Sequence, residues 1–136
     1  MPLRMGVYRF EDLRVWQAAR EQCNRVGALI QRPEFRFDSE LSRQLNAASI
    51  SVLNNISEGF LRHHDKEFLQ FLRVAAASNG EVRACYYASL DRGYLGDVEA
   101  TELIELSNSI GRMTRRLQAA LQTKEPQPTD RPRTKD

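Results

Sequence analysis

No run of apolar residues in this 136-residue chain approaches the ~20 needed to cross a bilayer as a helix. The first ten residues, MPLRMGVYRF, contain no apolar h-region, so no secretory signal is expected. Cysteine is scarce. Cys23 and Cys85 both fall within helical patterns, which favours reduced, core-filling thiols and a cytoplasmic location. A net charge of +2 is too small to argue for nucleic acid by bulk electrostatics. Gly-rich phosphate loops, nucleophile elbows and metal-ligand spacings are missing, so neither an enzyme nor a cofactor nor a metal site is expected. Strand alternation and internal repeats are absent too.

The patterns that remain are helical. Leu13, Trp16, Ala19, Cys23, Val26 and Ile30 recur at three- and four-residue spacing, which predicts a helix from about Phe10 to Gln31. RPEFRFD breaks it, because Pro33 disfavours helical geometry at Arg32; Asp38 or Ser39 can then cap a second helix over Glu40 to Arg62. Asp65 is placed to cap a third, Lys66 to about Arg92, with Gly93 suited to the left-handed position after it. Asp97 can cap a fourth, which runs to about Gln122. Four helices with short joints predict an all-α, antiparallel up-down-up-down four-helix bundle over residues 1–123. From 124 to 136 the sequence KEPQPTDRPRTKD is polar and proline-rich, and is expected to form a disordered tail.

The middle helices carry more apolar surface than one bundle needs. On a 100° wheel, Leu41, Leu45, Ala48, Val52, Ile56 and Gly59 form a core stripe on the second helix; Ser49, Ile50, Leu53 and Phe60 fall on a second sector. The third helix repeats this, with Leu69, Ala76, Gly80 and Tyr87 beside its main stripe. The fourth has one narrow stripe: Leu103, Leu106, Ile110, Met113, Leu117 and Leu121. Doubled apolar faces point to self-association rather than to the alternative, a wider core within one chain, with Ile50, Leu53, Phe60 and Leu69 as candidate oligomer contacts.

Several motifs come in a familiar order: YRFEDLRVWQAAR, then NISEGF, then KEFLQFL followed by Ser78 and Glu81, then Gly93-Tyr94-Leu95. The chain resembles the small four-helix-bundle proteins encoded in intervening sequences of bacterial large-subunit ribosomal RNA genes, and through them the accessory protein of diversity-generating retroelements. That resemblance covers about residues 8–122. It implies a homopentameric ring and no known enzyme activity. For the retroelement relatives it implies binding to nucleic acid and to a reverse transcriptase. The basic pair that relatives often carry on the second helix is Asn46 and Ala47 here, and a proline common in that helix is Leu53.

Of the 20 cations, 17 are arginine, whose planar fork suits phosphate. Arg4, Arg9 and Arg14 lie around Tyr8 and Phe10, and Arg32 and Arg36 flank Phe35 and Phe37, while Arg43 stands close to the missing basic pair. These six are the candidate phosphate contacts, which a ring would multiply. By contrast Arg112, Arg115 and Arg116 follow Glu99, Glu102 and Glu105 along the fourth helix, in the order that complements its dipole. His63 and His64 are adjacent and diverge on a helix, so a polar joint is expected rather than a metal site. Glu58 can bridge to Arg62 one turn on. The expectation is a cytoplasmic, non-enzymatic homo-oligomer that serves as an accessory or scaffold for RNA or DNA. The alternative is a protein-binding assembly module with no nucleic-acid role.

Overall fold

The structure is a computed structural model and describes residues 4–124. The tail expected over 124–136 lies outside the described residues except for Lys124, which is the last residue of a helix. A 3-10 turn, Phe10–Asp12, precedes α1 (Arg14–Leu29), α2 (Pro33–Phe37), α3 (Ser39–Phe60), α4 (Asp65–Asp91) and α5 (Asp97–Lys124). The fold class is all-α. Among the long helices, α3 packs on α4, α4 on α5, and α1 on both α3 and α5, so that each touches two neighbours around a shared core. Either side of the α3–α4 joint, partners diverge evenly: Phe60 meets Phe68, Ser51 meets Ser78, and Asp38 meets Tyr94. These two helices therefore run past each other in opposite senses. Arg25 with Glu102 and Arg32 with Glu99 show the same reversal between the α1–α2 segment and α5.

Two local expectations are corrected. RPEFRFD does not merely interrupt: Arg32 is extended, Pro33 takes the first helical position, and the short α2 follows. Proline is tolerated there because its missing N–H would have had no intrahelical partner. Phe35 becomes fully buried and meets the Tyr94 ring edge-on at 5.5 Å. Asp65 does not cap α4; it is the first helical residue, and its carboxylate pairs with Arg4 instead. Asp38 does cap α3, accepting a hydrogen bond from the Leu41 amide. Its other oxygen accepts from Arg92 and from the Tyr94 hydroxyl, tying the start of α3 to the turn after α4. Gly93 sits in that turn at φ +77°, as its position predicts.

The core combines Leu45, Val52 and Ile56 of α3 with Phe68, Leu72, Ala75, Val82 and Tyr86 of α4, and Leu103, Ile110 and Leu121 of α5. It is wider than a single stripe per helix. Ser49, Phe60 and Leu69, assigned above to second sectors, are all buried within the one chain. Gly59 explains part of this width. A Cβ built on it would lie 2.7 Å from Phe71 Cβ and 2.8 Å from Phe68 Cδ1, so only glycine lets α3 and α4 approach this closely. At the middle of the bundle, the buried Gln22 amide donates to Asn79, whose own amide donates to the Ser107 carbonyl, linking α1, α4 and α5.

Candidate functional site

The N-terminal residues fold back as a tight turn. Arg4 and Val7 exchange two backbone hydrogen bonds, and Met5 and Gly6 between them both have positive φ, 52° and 81°. That is the geometry of a two-residue hairpin turn in which asparagine or glycine usually takes the first central place. Arg4 anchors the turn to the end of α3. Its guanidinium donates to the carbonyls of Phe60 and Arg62, pairs with Asp65 at 3.0 Å, and lies 4.9 Å from the centre of the Phe68 ring. Arg4 therefore holds the fold and is not free to meet phosphate.

Three more of the six candidate arginines are also engaged. Arg32 makes a forked contact with Glu99, whose pKa is lowered chiefly by that hydrogen bonding. Arg9 pairs with Glu11 at 2.7 Å, and Arg43 with Glu40 one turn back. Both of these pairs are exposed, where ion pairs exchange readily with solvent and contribute little. Arg36 is exposed at the end of α2 and has no carboxylate partner among the described residues. The same holds for Arg14, and the structure gives it company that the sequence did not suggest.

Arg14 lines a cleft of about 340 Å³ between the N-terminal turn, the start of α1 and the second half of α5. Met5, Val7, Leu13, Val15, Met113 and Leu117 make its apolar walls, with Arg14, Arg116 and Asp12 as its charged members. Arg112 lies one helical turn before both Arg115 and Arg116, so the three share one side of α5. Arg14, Arg112, Arg115 and Arg116 are all exposed, and none has a carboxylate partner among the described residues. Two unpaired guanidiniums, Arg14 and Arg116, thus share the cleft, with Arg112 and Arg115 within one turn of Arg116 on α5. Sequence reasoning assigned the three on α5 to dipole compensation and missed that Arg116 shares a cleft with Arg14. Their lack of any Asp or Glu at i±3 or i±4 was the available signal.

A second hollow, of similar size, is lined by Asp38, Glu40, Leu41, Gln44, Ala84, Cys85, Ala88 and Arg92. Two carboxylates against one arginine make it a poor seat for a polyanion. Burial pushes the Cys85 thiol up from its ordinary pKa, and burial does the same for Cys23, so neither is poised as a thiolate nucleophile at neutral pH. His63 and His64 are exposed, and no group of three or more His, Cys, Asp or Glu side chains able to hold a metal occurs among the described residues. The Glu58–Arg62 bridge is not formed; Arg62 lies 4.8 Å from the centre of the Phe71 ring instead.

The four candidate oligomer contacts divide. Phe60 (1% exposed) and Leu69 (2%) belong to the core of the chain itself, because α3 and α4 close tightly over Gly59. They are not on a surface that a second copy could meet. Ile50 is 41% exposed, and Leu53 beside it is partly buried. Asn46 and Ser57 flank these two on the outer side of α3, partly exposed. No helix among the described residues is long and apolar enough to cross a membrane.

The family model of the 23S rRNA-intervening sequence protein matches residues 11–116, and the chain belongs to that family. No curated protein matches it. The matched span takes in Gly59, Arg14, Arg112, Arg115 and Arg116, and begins after the N-terminal turn.

Proposed function

We propose that this chain is a non-enzymatic cytoplasmic accessory protein that assembles with copies of itself, as a pentamer, and binds nucleic acid through phosphate. The observation that carries the binding reading is the pair of unpaired arginines, Arg14 and Arg116, in one cleft whose single carboxylate cannot neutralise both, with the unpaired Arg112 and Arg115 within a turn of Arg116. Counterion release from nucleic acid rewards such a group, whereas arginines already paired to Glu or Asp must first give up a partner. Repetition around a ring multiplies a modest patch into several simultaneous phosphate contacts. Self-association is supported by the apolar residues left on the outer side of α3, Ile50 and Leu53, between side chains small or polar enough to pack closely. A reverse transcriptase is the protein partner that the likeness to retroelement accessory proteins would add.

The test is a titration of labelled RNA on the intact protein across a range of salt. Binding should weaken steeply with salt, and the double replacement Arg112→Gln with Arg116→Gln should lower the log–log slope by about one unit for each phosphate that is no longer neutralised. Replacing Arg4 or Arg32 is a poor probe, since both hold the fold. Absence of binding at tens of micromolar protein and low salt would leave the protein-binding assembly module as the standing alternative.

A further inference from the structure

The cleft itself has a feature that phosphate binding alone does not require. Phosphate needs guanidinium groups; it gains nothing from six aliphatic and thioether side chains set between them. Two of these, Met5 and Met113, are methionines, whose polarisable sulfur makes favourable contacts with aromatic rings and whose flexible chain adapts to irregular partners. Met5 is also the one non-glycine residue with positive φ among the described residues. A bulky side chain at that backbone conformation is strained, and asparagine or glycine would occupy it without cost. The turn nevertheless carries methionine there, locked in place by the two Arg4–Val7 backbone bonds and by the grip of Arg4 on Phe60, Arg62 and Asp65. Strain held by so rigid an anchor, next to a cleft, points to a binding role for the side chain.

The size of the cleft narrows the ligand. About 340 Å³ lies at the small end of ligand pockets. It has room for one nucleotide and none for a duplex, whose base faces are in any case stacked away from apolar walls. Building on the nucleic-acid reading above, we propose that the cleft between the N-terminal turn and α5 takes one unpaired nucleotide of a single strand. The base lies against Met5, Leu117 and Met113, and its flanking phosphates meet Arg14 and Arg116. Single strands are then preferred over duplexes, a selectivity that a surface of arginines alone does not produce. Aromatic stacking is not used, since no aromatic side chain lines the cleft; apolar burial and sulfur–ring contact replace it, with little discrimination among bases.

The experiment compares fluorescence anisotropy of a labelled single-stranded RNA, the same sequence as DNA, and each in a blunt duplex, at equal phosphate concentration and low salt. Wild-type protein should bind either single strand several-fold to about tenfold more tightly than its duplex, in the range that one base contact provides. Met5→Gly is the decisive variant: glycine accepts the turn's backbone without strain, so the fold is kept while the side chain is removed. It should lower single-strand affinity towards the duplex value and leave duplex affinity unchanged, and circular dichroism should confirm unaltered helicity. Equal binding of strand and duplex by wild type, with both weakened by Arg112→Gln and Arg116→Gln, would overturn the single-nucleotide cleft while leaving nucleic-acid binding intact. So would a Met5→Gly protein that keeps the full preference. No binding of any of the four probes would overturn both.

Discussion

Replacing Gly59 by alanine adds one methyl group where α3 and α4 leave no room for it. The new Cβ would stand 2.7 Å from Phe71 Cβ and 2.8 Å from Phe68 Cδ1. Ordinary contact is about 3.5–4 Å, so roughly an ångström must be found. Phe68 is wholly buried and Phe71 Cβ is fixed to the α4 backbone, so no flexible side-chain end can yield. Overpacking of this kind costs about 1–3 kcal/mol, against which the helix preference of alanine over glycine returns about 0.5–1 kcal/mol. The net expectation for Gly59→Ala is a loss of about 1–2 kcal/mol, which in a domain of this size lowers the thermal midpoint by several degrees, about 3–10 °C. Gly80 and Gly27 provide the controls, because a Cβ at either position meets nothing within 4 Å. Alanine there should stabilise by about 0.5–1 kcal/mol through the same propensity term alone. Urea titrations followed by far-ultraviolet circular dichroism, with Trp16 fluorescence as a second probe, measure all three variants. A Gly59→Ala protein as stable as wild type, or one that gains as much as Gly80→Ala, would show that the helices do not approach as described.

The remaining predictions concern assembly, acid and charge. Ile50→Glu and Leu53→Glu should reduce the light-scattering mass from a multiple of 15.6 kDa to that of one chain while helicity is kept, because each places an unpaired charge in the interface; a wild-type monomer at micromolar concentration would refute the assembly reading. Burial alone would raise the Asp38 pKa, but hydrogen bonds from Tyr94, the Leu41 amide and Arg92 outweigh it and hold the carboxyl below its ordinary value. The stability it contributes is therefore fully present above the unfolded carboxylate pKa of about 4 and is lost as pH falls through the lower folded value. Tyr94→Phe should accordingly melt below wild type at pH 7, and the gap should shrink on acidification below about pH 4; a gap independent of pH would mean that the Tyr94–Asp38 bond carries none of it.

The four long helices and their order were legible because they depend on local quantities, while the short α2 was not. Apolar spacing, the Asp38 cap and the left-handed Gly93 need no knowledge of the rest of the chain. Where a tertiary partner decides, the sequence misleads. Asp65 has every local qualification for a cap, but Arg4, 61 residues earlier, takes its carboxylate. Phe60 and Leu69 lie off the main stripes on a helical wheel, and the wheel alone does not separate an outer surface from a wider core. They are buried because Gly59 lets α3 and α4 close, and a wheel does not register the distance between helices.

The arginines make the same point about the candidate site. Proximity to aromatic residues in the sequence drew attention to Arg4, Arg9, Arg32 and Arg36, yet proximity says nothing about whether a carboxylate will arrive from elsewhere. Asp65 and Glu99 come from other helices to claim Arg4 and Arg32, and Glu11 claims Arg9 locally. Arg112, Arg115 and Arg116 look accounted for by the dipole of α5, but a dipole attracts cations without consuming their hydrogen-bond donors. They remain free to bind an anion, and the fold sets Arg14 across the cleft from Arg116, far away in the chain. What separates a structural arginine from an available one is thus the location of the nearest acid in space. A charge reversal exploits that distinction: Arg116→Glu should abolish RNA binding with little loss of stability, whereas Arg32→Glu, facing Glu99, should destabilise the fold before any binding is measured. Equal stability of the two variants would show that Arg32 and Arg116 are alike, and the division drawn between them would fall.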